Sequence, residues 1–302
     1  MSNMSVKFAG LTFKNPVMTA SGTFGSGIEY SEFVDLNKLG GVVTKGVAIV
    51  PWPGNPTPRI AETYGGMINA IGLQNPGIDV FASRDLPYLE KYDTNIVVNV
   101  CGKSKEDYVE CVKRLADTKA DLLEINISCP NVKEGGIAFG QNPAMVEDIT
   151  AAIKKVARQP VVMKLSPNVT DITETAKAAE AGGADGVSLI NTLTGMKIDI
   201  HRRTYALANK TGGLSGPCIK PVAVRMVNQV ANAVKIPIIG MGGIVNYEDA
   251  LEFIMAGATL VSVGTANFHN PQVTMEIVDG IQGYLEKYNV ADINELIGVV
   301  NR

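Results

Sequence analysis

The sequence predicts a (β/α)₈ barrel formed by a single domain that spans residues 1–302. Short runs rich in β-branched residues alternate with helical stretches from residue 16 to residue 288, which is typical of repeated βα units and a parallel sheet. Eight such units follow one another without a linker, as a TIM barrel requires. A doubly wound sheet alternates in the same way, but no G-x-G-x-x-G opens the first helix. The barrel is therefore preferred.

The predicted strands and helices follow from the hydrophobic pattern and from the Gly and Pro residues that end them. Residues 6–13, around Ala9-Gly10, predict a small hairpin at the barrel floor. Eight strands are expected at residues 17–19, 41–44, 96–100, 122–126, 161–165, 186–190, 238–241 and 260–263. Amphipathic helices are expected at residues 105–118, 142–158, 172–181, 221–234 and 247–256.

The composition argues against several classes of function. A hydrophobic content of 46% with 19% charged residues is ordinary for a globular protein, and the net charge of −3 offers no basic face for nucleic acid. No apolar run reaches the roughly 18 residues of a membrane helix. Residues 1–10 lack the charged and then apolar segments of a signal peptide, so a cytoplasmic protein is expected. The four cysteines fit neither a disulfide framework nor an iron–sulfur spacing, so reduced thiols are expected.

The loops that follow barrel strands carry the chemistry of this fold, and here they are rich in amides and lysines. An amide offers donors and an acceptor without charge, which suits a planar heterocycle whose edge alternates C=O and N–H. Any one Asn more often caps a helix or a turn, but four at successive strand ends, plus Asn69 in a long loop, favour a heterocycle site. The residues beyond the strands are Ser21, Lys45, Gly46, Asn99, Asn126, Cys129, Asn131, Lys164, Asn191, Thr192, Gly242, Gly243, Gly264 and Thr265.

The last two strands end in glycine-containing turns, Ile-Gly-Met-Gly-Gly-Ile at residues 239–244 and Val-Gly-Thr-Ala at residues 263–266. Glycines let backbone N–H groups approach a phosphate closely, at the place where barrels commonly bind one. Gly242 and Gly243 could instead serve a tight turn alone. Because both strands share the feature, we favour a phosphate site.

Lys164 ends a strand, where burial of a lysine calls for an anionic partner or loss of its proton. It could stabilise negative charge on a bound ring or act as a Schiff-base nucleophile, and Lys45 poses the same choice. For each, an ammonium that reaches the solvent at the rim is the remaining alternative.

Cys129 follows the fourth strand directly and precedes a glycine-rich stretch at residues 133–141, a pattern that suggests a reactive group on a mobile lid. A free thiol is a workable base at alkaline pH, although a lone Cys is by default a small buried hydrophobe. We expect Cys101, Cys111 and Cys218 to be such buried hydrophobic residues. Neither His201 nor His269 follows a strand directly, which strengthens the case for Cys129 as the general base.

Several motifs together resemble the dihydroorotate dehydrogenase family along nearly the whole chain. They are Asn-Ala-Ile-Gly-Leu-Gln-Asn-Pro-Gly at residues 69–77, Asn-Ile-Ser-Cys-Pro-Asn at 126–131, Val-Met-Lys-Leu-Ser-Pro at 162–167, Asn191-Thr192, Gly-Gly-Leu-Ser-Gly at 212–216 and the two glycine turns. The resemblance implies FMN bound by Ser21, Lys45, Gly46, Asn99, Asn126, Lys164, Ile190, Gly216, Gly242, Gly243, Gly264 and Thr265. It also implies dihydroorotate bound by Lys45, Asn69, Ala70, Ile71, Gly72, Leu73, Asn126, Asn131, Asn191 and Thr192.

The same resemblance implies oxidation of dihydroorotate to orotate in pyrimidine biosynthesis, with Cys129 as the base. The loops at residues 69–77 and 131–140 resemble the NAD-linked class, in which a partner subunit carries FAD and a 2Fe–2S cluster in a heterotetramer of two catalytic and two electron-transfer subunits. A fumarate-dependent homodimer is the alternative class. No metal site is expected on this chain.

Three rival functions remain open at this point. A Schiff-base aldolase could use Lys164 on the same barrel, but it would leave the asparagines and Cys129 without a purpose. A non-catalytic FMN-binding or assembly subunit would be yellow yet fail to react with dihydroorotate. A flavin enzyme acting on tRNA uracil is opposed by the acidic charge balance.

Overall fold

The computed structural model describes residues 2–128 and 137–302, and eight of its strands form a closed parallel barrel. The described strands are β1 (Val6–Phe8), β2 (Leu11–Phe13), β3 (Val17–Thr19), β4 (Gly41–Val43), β5 (Ile60–Thr63), β6 (Gly66–Asn69), β7 (Asn95–Val100), β8 (Leu122–Asn126), β9 (Val161–Lys164), β10 (Gly186–Leu189), β11 (Leu193–Met196), β12 (Ile198–Asp199), β13 (Thr204–Tyr205), β14 (Thr211–Ser215), β15 (Ile238–Met241) and β16 (Leu260–Val263).

The barrel closes in chain order through β3, β4, β7, β8, β9, β10, β15 and β16, and β16 pairs back onto β3 in parallel. These are the eight strands that the sequence predicts, with ends that differ by at most one residue. The barrel strands are buried along all or nearly all of their length, so their hydrophobic runs are nearly continuous. The predicted (β/α)₈ fold is confirmed.

Helices cover the outside of the barrel and fill the connections between strands. The described helices are α1 (Ile78–Val80), α2 (Leu86–Leu89), α3 (Lys105–Leu115), α4 (Ile137–Gln141), α5 (Pro143–Lys154), α6 (Ile172–Ala181), α7 (Lys220–Ala231), α8 (Tyr247–Ala256), α9 (Ala266–His269) and α10 (Val273–Lys287), with a π-helical segment at Phe81–Asp85 between α1 and α2. None of these helices is long and apolar enough to cross a membrane.

Side-chain caps fix where several of these helices begin. Ser104 accepts a hydrogen bond from the backbone N–H of Asp107 at the start of α3, and Asn142 caps α5 just before Pro143. Asp171 and Asn246 do the same for α6 and α8. Each cap satisfies a backbone N–H that the first helical turn cannot pair internally.

The N-terminal hairpin lies at the floor of the barrel. Strands β1 and β2 pair in antiparallel fashion, and Phe8 and Phe13 are fully buried with an edge-to-face contact between their rings. The Phe8 ring packs at Gly186, the first residue of β10, where an added Cβ would lie 2.7 Å from the ring. The hairpin therefore covers the end of the barrel opposite the carboxyl ends of the strands.

A four-stranded antiparallel sheet at the carboxyl ends of the barrel strands is absent from the sequence-based prediction. It has the order β11-β14-β6-β5, and the short hairpin β12-β13 extends from it. Its members come from two distant parts of the chain, residues 60–69 and 193–215. Strand β14 pairs with β6 so that Gly213 lies opposite Asn69 and Ser215 opposite Met67. Met67, Asn69 and Ser215 line the cavity described next, so this sheet shapes one of its walls.

Candidate active site

A large cavity opens at the carboxyl ends of the barrel strands, where this fold places its chemistry. Its volume, including the space at its mouth that is open to solvent, is about 1290 Å³. Predicted site residues lining it are Ser21, Lys45, Asn69, Ile71, Gly72, Leu73, Asn126, Lys164, Ile190, Asn191, Thr192, Gly216, Gly242, Gly243, Gly264 and Thr265. Residues separated by more than two hundred positions in the chain thus meet around one space.

Gly46, Asn99 and Ala70 do not line this cavity. Asn99 is fully buried beneath it, and an added Cβ on Gly46 would lie 3.1 Å from the Asn99 side-chain oxygen. Ala70 is also fully buried, with its backbone N–H bound to the carbonyl of Arg59. These three residues therefore support the wall.

Three glycines at one side of the cavity have backbone conformations that side chains disfavour. Gly216, Gly242 and Gly243 have φ angles of +105°, +127° and +84°. An added Cβ on Gly243 would lie 2.8 Å from the Gly216 carbonyl oxygen, and one on Gly242 would lie 2.9 Å from Ala223 Cβ. The backbone here is bare and closely packed, as the approach of N–H groups to a phosphate requires.

A second contact ties this glycine cradle to the last barrel strand. The Thr265 hydroxyl donates a hydrogen bond of 2.8 Å to the hydroxyl oxygen of Ser215, which lies beside Gly216. Gly264 and Thr265 follow β16 directly, as the sequence predicts. The turns after β14, β15 and β16 therefore converge, which supports the predicted phosphate site.

The polar amides form a connected row on another wall. Ser128 donates to the Asn126 side-chain oxygen at 3.1 Å and accepts from the Asn191 amide at 2.8 Å. The Asn191 oxygen in turn accepts from the backbone N–H of Thr192 at 2.7 Å. Because each amide has a partner that fixes its orientation, the row presents defined donors and acceptors to a ligand.

The residues at 69–73 form a loop that a neighbouring segment holds in place. Gly72 and Leu73 have positive φ angles of +74° and +54°. The Asn55 amide donates to the Ala70 carbonyl at 3.1 Å, and the Asn55 backbone N–H donates to the Ile71 carbonyl at 3.0 Å. The loop therefore presents its backbone to the cavity in a supported conformation.

Lys164 reaches the cavity from β9, and its partner is a carboxylate that the sequence reasoning did not identify. Its ammonium lies 3.5 Å from Glu124 Oε2, and the side chains of the two residues are 7% and 1% exposed. The same Glu124 oxygen accepts a 2.6 Å hydrogen bond from the Asn99 amide. A charged residue within the buried run Leu-Leu-Glu-Ile-Asn was the available signal, because isolated charges are costly in such a strand.

Cys129 and Asn131 lie outside the residues that the structure describes, as does the predicted lid up to residue 136. Their roles therefore stay predictions. Of the other cysteines, Cys101 and Cys111 are buried as expected, whereas Cys218 is exposed, so its assignment to the core is wrong. Burial raises the pKa of the Cys111 thiol to about 12.

Among the residues described, no group of three or more His, Cys, Asp and Glu side chains could hold a metal ion. His201 lies exposed in the turn between β12 and β13, and His269 is the last residue of the short helix α9. Neither lines the cavity.

Comparison with known proteins gives one consistent result. A model of the dihydroorotate dehydrogenase family matches residues 3–285. A protein of Lachnoclostridium phytofermentans named dihydroorotate dehydrogenase B (NAD(+)), catalytic subunit, is 70% identical over 298 residues, which cover 99% of each chain. One of the same name from Alkaliphilus metalliredigens is 65% identical over 296 residues, 98% of each chain.

A solved structure shows the same architecture at lower identity. The dihydroorotate dehydrogenase of Eimeria tenella, crystallised in complex with ferulenol, superposes with a TM-score of 0.83 at 27% identity. The match covers 99% of this chain and 89% of the other.

Proposed function

The chain belongs to the dihydroorotate dehydrogenase family, and from that premise we propose that it oxidises (S)-dihydroorotate to orotate in pyrimidine biosynthesis as the catalytic subunit of an NAD-linked enzyme. The observation that carries the proposal is the 70% identity, over 99% of both chains, with a relative that bears this name. The cavity supports it, because most of the described residues that the family resemblance implies surround one space.

The cavity suits FMN in its polar chemistry. The glycine cradle around Gly216, Gly242 and Gly243 suits a phosphate, and the amides with Lys164 suit the polar edge of a heterocycle. Ser262 lines the cavity, and its buried hydroxyl has no hydrogen-bond partner among the described residues. Buried polar atoms are rarely left unpaired, so this hydroxyl supports a polar ligand.

We assign FMN binding to Ser21, Lys45, Gly46, Asn99, Asn126, Lys164, Ile190, Gly216, Gly242, Gly243, Gly264 and Thr265, and substrate binding to Lys45, Asn69, Ala70, Ile71, Gly72, Leu73, Asn126, Asn131, Asn191 and Thr192. Gly46, Asn99 and Ala70 act from behind the cavity wall.

FMN, when bound, would supply the acceptor for the hydride that leaves C6 of dihydroorotate. Cys129 would take the proton from C5, so that the C5–C6 double bond forms as the substrate loses one hydride and one proton. The side-chain N–H groups of Asn126 and Asn191, whose amides Ser128 holds in orientation, would stabilise charge on the adjacent carbonyl by donating hydrogen bonds. Lys45 would attract the substrate carboxylate.

We infer that the electrons then pass to NAD⁺ through a partner subunit that carries FAD and a 2Fe–2S cluster, in a heterotetramer of two catalytic and two electron-transfer subunits. The names of the relatives support a division into subunits, because they specify NAD⁺ and a catalytic subunit. A fumarate-dependent enzyme is the alternative that the test must separate.

The test is a visible spectrum of the purified chain, followed by anaerobic addition of dihydroorotate and then of NAD⁺ or fumarate. We expect a yellow protein whose flavin absorbance bleaches with dihydroorotate, and which NAD⁺ reoxidises only when the partner subunit is added. Reoxidation by fumarate without a partner would overturn the NAD-linked assignment. A well-folded chain that takes up no FMN would overturn the whole proposal, and trapping by borohydride with a carbonyl substrate would indicate the Lys164 aldolase.

A further inference from the structure

A buried carboxylate lies inside the barrel, directly behind the cavity lysine. Glu124 is on β8 and pairs in register with Asn99 of β7, while Lys164 of β9 pairs with Asn126, two residues further along β8. The exposed fractions of Asn99, Glu124 and Lys164 are 0%, 1% and 5%. Three polar residues from three adjacent strands thus meet in the barrel interior below the cavity.

Glu124 connects the other two residues through a single oxygen. Its Oε2 accepts the 2.6 Å hydrogen bond from the Asn99 amide and lies 3.5 Å from the Lys164 ammonium. Among the residues that the structure describes, neither its Oε1 nor the Asn99 side-chain oxygen has a hydrogen-bond partner. The carboxylate therefore sets which end of the Asn99 amide points toward it, and it anchors the lysine by charge.

Stability gives no reason for an acid at this place. Removing two charges from water is costly, and a well-packed apolar side chain of similar volume is often as stabilising as a buried ion pair or more so. The neighbours of Glu124 in β8 are Leu122, Leu123 and Ile125, and apolar packing of that kind would suffice for the strand. The acid is better explained by what it does to Lys164 at the cavity wall.

We propose that Glu124 is a positioning residue that sets the electrostatic environment of the redox cofactor, an inference that rests on the proposed function. It holds the Lys164 ammonium at the cavity wall and orients Asn99. Its negative charge also offsets part of the positive charge that Lys164 brings to the cofactor site. The cofactor site therefore faces an oriented ion pair instead of an isolated cation.

The consequence for the reaction follows from charge alone. A reduced cofactor is more electron-rich than the oxidised one, so a nearby cation favours reduction and a nearby anion opposes it. In the low-dielectric barrel interior both charges act strongly and are poorly screened by salt. Glu124 therefore lowers the reduction potential relative to a site with Lys164 alone, which keeps the electrons available to a weak oxidant such as a nicotinamide.

The test is the reduction potential of bound FMN in the holoprotein, measured by equilibration with a reference dye. Glu124→Gln keeps the shape of the side chain and removes the charge. We expect the ratio of reduced to oxidised FMN at a fixed potential to rise about tenfold, equivalent to a potential about 30 mV higher for a two-electron couple. Glu124→Asp retains the charge and should return the potential toward that of the unaltered protein.

Asp121→Asn is the matched control, because Asp121 is a partly buried carboxylate just before β8, at the opposite end of the strand, where it accepts a hydrogen bond from the Ile96 backbone N–H. Its removal should leave the potential unchanged. If Glu124→Gln does not retain FMN, Glu124→Met fills the same space without a charge and should show the same rise.

The outcomes separate this inference from the proposed function. Failure of the unaltered chain to bind FMN would contradict the proposed function. If the unaltered chain binds FMN but the charge-free variants have the same or a lower reduction potential, the role of Glu124 is overturned. The proposed function would then stand.

Discussion

Single side chains in the cavity are oriented before any ligand arrives. Ser128 illustrates this, because its hydroxyl joins Asn126 to Asn191 and is itself fully buried. Asn168 adds a further connection by donating to the Thr192 carbonyl at 3.0 Å and accepting from the Thr194 backbone N–H at 2.8 Å. Such preset groups lose little freedom on binding, which is the physical basis of electrostatic preorganisation.

The first residue-scale prediction concerns the proposed base. Cys129→Ala should slow anaerobic FMN reduction by dihydroorotate by about 10²- to 10⁴-fold, the usual contribution of a positioned general base. FMN should stay bound, because the glycine cradle and Lys164 are untouched. Stopped-flow absorbance at the flavin band measures the rate, and Cys101→Ala is the control for loss of a thiol elsewhere. A Cys129→Ala rate within about threefold of the unaltered rate would remove this residue from the mechanism.

The second residue-scale prediction follows from the different exposure of two other thiols, Cys111 and Cys218. Because burial raises the pKa of Cys111 to about 12, its thiolate fraction at pH 8 is about one in ten thousand. Alkylation of the folded chain should therefore modify the exposed Cys218 and spare Cys111. Peptide mapping by mass spectrometry reads out each site separately, and a urea-unfolded sample, in which both thiols react, is the control. Early labelling of Cys111 in the folded chain would contradict its burial.

The raised pKa of Cys111 also fixes the sign of a pH effect on stability. The folded state holds the proton more tightly than the unfolded state does, so this residue's contribution is fully present below about pH 9. It is lost as the pH rises from the unfolded pKa toward the folded one near 12.

Residue identities were predictable where a loop follows a strand and less so inside a strand. The amides and glycines at the cavity were found because their positions follow from the barrel itself. Glu124 was missed because it lies within a strand, and only the inward direction of alternate residues brings it to Lys164. The exposure of Cys218 depends on how the turn before α7 packs, which a lone cysteine in the sequence does not reveal.

At the scale of elements, the turn after β15 is held by the helix that follows it. Asp249 in the first turn of α8 accepts a 2.9 Å hydrogen bond from the Val245 backbone N–H, and its other oxygen accepts from Lys220 at 2.6 Å. Lys220 in turn packs against Gly243, where an added Cβ would lie 2.9 Å from its own. The first turns of α7 and α8 therefore brace the glycine cradle from outside.

The element-scale prediction tests this bracing. Asp249→Asn removes the charge that holds Lys220 and weakens the bond to Val245, so the glycine cradle should loosen and the dissociation constant for FMN should rise about tenfold, or ~1.4 kcal/mol. Recovery of FMN fluorescence on dilution of the holoprotein measures it. Glu252→Gln is the matched control, because Glu252 also binds Lys220 at 2.8 Å but is 51% exposed, whereas Asp249 is the carboxylate that accepts from the Val245 N–H in the turn. Equal FMN affinities in the two variants would contradict the bracing.

The barrel strands were predictable as elements because each is a short, continuous hydrophobic run between turn signals. The sheet over the cavity was not. Strands β5 and β11 are half exposed, and β14 has the sequence Thr-Gly-Gly-Leu-Ser, which has the composition of a loop. The pairing of β14 with β6 joins residues 144 positions apart, Asn69 and Gly213, and such a contact leaves no local signal.

At the scale of the whole molecule, the two ends of the barrel have separate tasks. The carboxyl ends of the strands carry the cavity, the glycine cradle and the covering sheet. The amino ends are closed by the hairpin β1-β2, which buries Phe8 and Phe13 against the strands. This division is general for the fold, in which one face serves chemistry and the other serves stability.

The last prediction tests that division with one side chain at the floor. Phe8 is 1% exposed and packs on Gly186 at the start of β10, so Phe8→Ala should lower the free energy of unfolding by about 3–5 kcal/mol through the cavity it leaves. The dissociation constant for FMN should stay the same, because the change lies at the opposite end of the barrel. Urea unfolding and FMN fluorescence measure the two quantities, and Leu11→Ala in the same hairpin, at a half-buried position, should cost less stability. A Phe8→Ala protein with weakened FMN binding would show that the floor and the cavity are coupled through the strands.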